Sequence, residues 1–181
     1  YMTNCRLNDP VFERGLRDFM AVCNVVKTFR NMRILQISTR PYEFWSTMCN
    51  EGELLEKFNI QLTPIPMPEL TDEMKKAKAE GTEVAKVVEY CRANMETCVK
   101  DNELENVAAL KVAMGNLIKK YGCQAAAIQC WNQLQSEIGI MPCAANALLN
   151  EEGIPVVCET DIHGAITALL VEAAALDDTR S

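Results

Sequence analysis

Ile154-Pro155-Val156-Val157-Cys158-Glu159-Thr160-Asp161 is a short apolar run that stops on a carboxylate, and the apolar stretch Ile162–Ala175 follows it directly. A run of this length bounded by turn residues reads as a buried parallel strand over Ile154–Cys158. Asp161, immediately before a helical pattern, reads as its N-cap. Strand, polar loop and apolar helix in that order form the repeating unit of an open α/β sheet, which keeps its chemistry outside the carboxyl ends of its strands.

Working outward, three more segments read as strands. Gln124–Gln129 is alanine-rich, but it lies between Gly122 and Trp131 and is too short for an independent helix. Arg33–Ser38 is apolar and bounded by Arg40-Pro41, and Ile60–Ile65 runs into Pro64, Pro66 and Pro68. Helices are predicted between them. Asp9-Pro10 opens the first, in which Phe12, Leu16, Phe19, Val22, Cys23 and Val26 recur at helical spacing to near Arg30. Others cover Gly52–Phe58 and Met141–Asn150. A helical excursion over residues 69–121 comprises a charged segment through Lys78, a break near Gly81, a helix through Cys98 and a last helix from Asn102 to Tyr121. The mixed-sign run Asp72–Lys78 suits a solvated helix face. The expectation is a single α/β domain over residues 1–181, an open parallel sheet of about four or five strands flanked by helices in a Rossmann- or flavodoxin-like three-layer sandwich. A flavodoxin-like order sets the first strand beside the third, with the switch point between Ser38 and Gln129.

Composition narrows the partners. With 18 basic against 25 acidic residues in 181 and a net charge of −7, neither a nucleic-acid backbone nor an anionic membrane is expected to bind. No apolar run approaches the roughly 18 residues of a membrane span, and the start lacks a signal-peptide pattern, so a cytoplasmic setting is expected. The nine cysteines are odd in number and contain no CxxC pair, and they are expected to be reduced core thiols. There is no GxGxxG, Walker loop or HExxH.

In this architecture Ser38-Thr39-Arg40, Gln129-Cys130-Trp131-Asn132 and Glu159-Thr160-Asp161 approach one another along one sheet edge. Glu159, straight after an apolar strand, is solvated, paired with a cation or bound to metal. Trp131 and Asn132 are candidates to stack on and hydrogen-bond to a sugar, and Gln129 to take a hydroxyl; alternatively Trp131 covers the sheet edge. Thr39 and Arg40 are further candidates on the same edge. His163, the only histidine, falls in a first helical turn and reads as structural or exposed, with pocket lining as its functional alternative. Cys143 follows Pro142 at a helix start, where a thiol can be activated, but a buried inert thiol is the expectation.

The run from Cys130 to Ala175, with Arg33–Pro41, Phe44 and the segment Glu53–Phe58 before it, resembles the L-fucose isomerase family, relatives of L-arabinose isomerase that interconvert aldoses and ketoses. The resemblance implies the middle domain of a longer, three-domain, hexameric enzyme. It makes Glu159 both a ligand of a divalent metal, Mn2+ with Mg2+ as the alternative, and part of the acid/base machinery that moves a proton between C1 and C2 through an enediol. It puts the remaining metal ligands, an Asp and a His, beyond Ser181, so the chain by itself is expected to be inactive. A second reading stays open: a non-catalytic α/β module that binds a sugar in the same crevice, or one that contributes oligomer contacts.

Overall fold

Four parallel strands, β1 (Arg33–Ile37), β2 (Gln61–Ile65), β3 (Ala125–Ile128) and β4 (Val156–Cys158), lie in the order β2-β1-β3-β4. The structure is a computed structural model and describes residues 4–176; residues 1–3 and 177–181 of the expected domain fall outside them. β1 pairs with both β2 and β3, so the flavodoxin-like order is the one observed and the strand order reverses between β1 and β3.

Side-chain alternation splits the strands between two cores. Ile34, Ala125 and Ala127 face α8 (Ile162–Ala175) and Leu54 of α2 (Glu51–Phe58). Leu35, Ile37, Ala126 and Ile128 face α3 (Met67–Glu80), α5 (Asp101–Lys120) and α7 (Cys143–Glu151). The three alanines of β3 are fully buried, and their small side chains leave room for α8 on one face and α5 on the other. The result is the expected three-layer sandwich.

The helical excursion is core rather than appendage. Ala108, Leu110, Ala113, Met114 and Leu117 of α5 are buried, and α3 and α4 (Thr82–Asn94) pack against that helix. α5 carries Asp101 and Glu103 in its first turn and Lys119 and Lys120 in its last, which complements the helix dipole. α4 stops at Asn94 instead of continuing to Cys98, because Asn94 Nδ2 donates to the Tyr90 carbonyl and Met95 is extended. The helix expected over Met141–Asn150 starts at Cys143, after Pro142, rather than at Met141. Two short elements carry too few residues for a periodic signal, α6 (Gln133–Ile138) and a 3-10 turn at Trp45–Thr47.

The first helix, α1 (Pro10–Phe29), has the expected periodicity but no buried residue. It rests along α8, where Asn24 Nδ2 donates to the Ala173 carbonyl at 2.8 Å, and turns Phe19 (63% exposed) and Val22 (60% exposed) outward. The expectation of core thiols is corrected in part. Cys91 and Cys130 are buried, whereas Cys23, Cys98 and Cys143 are exposed on helix faces or loops, and all nine are free.

Candidate functional site at the carboxyl edge of the sheet

The register of β1, β3 and β4 brings the three expected segments together. Beyond Ile37, Ser38 Oγ lies 2.7 Å from Gln129 Oε1 and 3.1 Å from Gln133 Oε1. Thr39 also offers its backbone N–H and its hydroxyl to Gln129 Oε1, at 3.3 and 3.4 Å. Gln129 is thus the stitch between the loops after β1 and β3. Its carbonyl end is taken up by Ser38 and Thr39, which leaves the amide nitrogen for any ligand.

Glu159 is held from both oxygens. The Cys130 thiol donates to Oε1 at 2.8 Å and the Trp131 backbone N–H to Oε2 at 3.3 Å. Both donors come from the loop after β3, so the carboxylate of one loop is fixed by its neighbour. Burial, then the hydrogen bond to Glu159 and the nearby charge, push the Cys130 thiol far up. It is a protonated donor, not a nucleophile.

The backbone here is unusual. Ser38, Asn132, Glu159 and Thr160 all have φ between 50° and 68°, and they make up four of the six non-glycine residues with positive φ among the described residues. For Thr160, buried and β-branched, this conformation is costly, and strain of this kind collects at functional sites. Local turn geometry of this sort leaves no hydrophobic pattern, so the sequence carried no signal for it.

The other candidates separate. Trp131 is half-exposed and meets Phe44 edge to face at 5.1 Å, so its indole both covers the edge and presents a face to solvent. Asn132 opens α6, and its N–H donates to Gln135 Oε1 at 2.7 Å, which makes it a local cap. Asp161 caps α8 as expected, with Oδ1 accepting from Gly164 N at 2.9 Å. His163 is exposed on the first turn of α8.

Cys130 and Asn146 are the residues that sequence reasoning did not assign. Asn146 is buried at 5% exposure, donates to Cys158 Sγ at 3.4 Å, and has no partner for Oδ1. Cys130 could have been anticipated from its place two residues past a strand that neighbours β4.

Among the described residues, no group of three His, Cys, Asp or Glu side chains could hold a metal ion. A hard divalent cation takes several oxygen or nitrogen ligands, so Glu159 with the other described side chains does not fit a complete site. Among the described residues no helix is long and apolar enough to cross a membrane.

No protein-family profile matches the chain. Curated relatives do. A sulfoquinovose isomerase of Alkalicoccus urumqiensis is 26% identical over 166 residues, covering 91% of this chain and 37% of the relative. One of Priestia aryabhattai is 26% identical over 168 residues, with 90% and 36% coverage. One of Clostridium sp. (strain MSTE9) is 24% identical over 150 residues, with 82% and 33% coverage. The chain therefore spans about a third of the length of the curated relatives it matches, and 82–91% of its own length is similar to these sulfoquinovose isomerases.

Proposed function

We propose that this chain is one domain of a metal-dependent aldose–ketose isomerase and that Glu159 is its catalytic carboxylate and its single contribution to the metal shell. The reading is carried by one coincidence: the similarity to sugar isomerases extends across a segment in which a carboxylate, tethered through both oxygens, stands on strained backbone beside the strand-order reversal. The metal of this proposal is Mn2+, or Mg2+ by the same oxygen-ligand chemistry. Its other ligands come from residues outside this chain, as does part of the active site.

In this reading Glu159 acts as the base in aldose-to-ketose conversion. It removes the proton from C2, the electron pair forms the C1=C2 bond, and O1 takes up a proton to give the enediol. Return of a proton to C1 and loss of the O2 proton complete the ketose, with no net change in atoms or oxidation level. Cys130 and Trp131 hold the carboxylate while it works. Gln129 through its amide nitrogen, Trp131 through its indole face and Asn132 are the proposed sugar contacts. Sulfoquinovose, a glucose with a sulfonate at C6, is the first substrate to test, because it is the substrate in the relatives' name.

The test is ketose formation by the polypeptide that includes these residues together with the remaining metal ligands. Turnover there, with none from the isolated 181-residue chain, is expected. Isomerisation by the isolated chain refutes the shared-site reading. A polar cavity at the same edge favours one alternative, a sugar-binding module without chemistry. Saturable sugar binding with no turnover in any longer form would select it.

A further inference from the structure

A cavity of about 240 Å3 opens beside the carboxyl edge, between the loop after β1 and the start of α8, with Gln36, Arg40, Thr47, Glu51 and Thr160 among its lining residues. That volume is of the size of one hexose. Thr160 adjoins Glu159 in sequence, so the cavity and the carboxylate share a loop. Arg40 is the only lysine or arginine in the three segments that build this edge, residues 38–50, 129–142 and 159–161.

The setting of Arg40 differs from that of the ion-paired cations. Lys57, Lys111, Lys120 and Arg92 each pair with a carboxylate at 2.6–2.8 Å, as expected in a chain with an excess of acids. Arg40 is half-buried and pairs with no carboxylate among the described residues. Its Nη1 donates to the carbonyls of Pro41 at 3.0 Å and Tyr42 at 3.1 Å, and its Cζ stands 5.4 Å from the centroid of the Trp45 ring. One nitrogen and one planar face are therefore fixed by the protein. Nε and Nη2 remain, in the planar fork that matches two oxygens of one anionic group.

We propose that Arg40 is the specificity-determining residue that binds a tetrahedral oxyanion, a sulfonate or a phosphate, at the end of the sugar remote from C1 and C2. The inference rests on the isomerase reading above and extends it to the substrate's charge. The cavity is not uniformly positive. Glu51 lines it and Asp161 lies close; after burial, these two charges push the nearby Cys49 thiol up. The anion is consequently held at the guanidinium, while Glu51, Thr47 and Thr160 suit the sugar's hydroxyls. The same acids repel an anion that lacks the arginine, so Arg40 controls whether the cavity tolerates a charged sugar at all.

The test compares sulfoquinovose, glucose 6-phosphate and glucose as ligands of the chain by calorimetric titration, with wild type, Arg40→Ala, Arg40→Lys and Arg40→Gln. Removing one partner of a charge-assisted hydrogen bond weakens binding by about 10- to 100-fold. Wild type is expected to prefer an anionic sugar to glucose by at least about tenfold. Arg40→Ala is expected to abolish the preference with glucose affinity unchanged, and Arg40→Lys to keep part of it. Arg40→Gln, which can still donate to the Pro41 and Tyr42 carbonyls, separates loop support from anion binding and is expected to behave as the alanine variant. Preference for sulfoquinovose over glucose 6-phosphate assigns the sulfonate, and the reverse the phosphate. The proposal is overturned if wild type shows no preference, if no sugar binds, or if Arg40→Ala weakens glucose equally. An anion preference that depends on Arg40, with no sugar turned over by the longer polypeptide that carries the remaining metal ligands, would sink the isomerase reading and leave this inference standing.

Discussion

Replacing Glu159 with glutamine tests the site at one atom. The carboxylate accepts from Cys130 Sγ at 2.8 Å and from Trp131 N at 3.3 Å. A glutamine keeps one acceptor oxygen, and in either orientation its NH2 group faces one of those two donors. Retaining the Trp131 bond is the better choice, because the thiol can rotate and let its sulfur accept from the amide. The variant then loses one charge-assisted hydrogen bond, a cost of about 1–2 kcal/mol at a half-buried position. For a domain of this size that lowers Tm by about 2–8 °C. The loss of a general base costs far more in rate, about 10²- to 10⁴-fold in kcat. The assay pairs a circular-dichroism melt with ketose production by the longer polypeptide. A folded variant with kcat reduced at least a hundredfold supports the assignment. Turnover within tenfold of wild type removes Glu159 from the mechanism, and a collapse of the melt shows that the residue acts on the fold instead.

Thiol labelling with iodoacetamide at pH 8 should modify Cys23, Cys98 and Cys143 in the native chain, while Cys130, buried and with its thiol pushed far up, reacts only on unfolding; native-state labelling of Cys130 by mass spectrometry would contradict the hydrogen-bonded geometry. Leu110→Ala, at a fully buried α5 position, should cost about 2–5 kcal/mol in chemical denaturation, and a loss under about 1 kcal/mol would mean that α5 is not the core helix described. Asn146→Leu removes the unpartnered Oδ1 and should be neutral or stabilising, by up to about 1 kcal/mol; marked destabilisation would reveal a partner for that atom. Hydrogen bonds from Lys120 and Tyr121 hold the Glu69 carboxyl below its ordinary value. Its contribution, up to about 1 kcal/mol, is therefore complete above the unfolded carboxyl pKa and lost as pH falls through the lower folded one. Wild type and Glu69→Gln should differ at pH 7 and converge as the carboxyl protonates in acid, below its ordinary range, and a gap that persists in strong acid would refute the pairing.

How much of this was legible in the sequence depends on the kind of force involved. The strand at Ala125 was readable because burial on both faces writes an uninterrupted apolar run, whereas those at Arg33 and Gln61, interrupted by Gln36, Thr63 and Pro64, were readable from their short length and the prolines that bound them. Right-handed crossovers put the strands' carboxyl ends on one edge, and with them Ser38, Gln129 and Glu159; the order β2-β1-β3-β4 matches the flavodoxin-like analogy, which no residue pattern dictated. The thiol–carboxylate contact was not readable, since it depends on where two loops come to rest. Nor was the exposure of α1: helical spacing at Phe19 and Val22 specifies an apolar stripe but not what lies against it. Arg40 was visible as one candidate among several. What set it apart was the absence of any other cation on the edge once the three loops were assembled, together with its two carbonyl contacts.

The two outer strands limit how this domain can join anything larger. In β2 the backbone groups of Gln61 and Ile65 turn inward, bonding to Met32 and Ser38, so the N–H positions that face away belong to Leu62 and Pro64, and proline has none to offer. At the other border β4 is three residues long. Both borders are poor templates for an incoming strand, which guards the sheet against edge-to-edge growth. Helix surfaces are therefore the readier faces for a neighbour, and α1 turns Phe19, Met20, Val22 and Val26 to one.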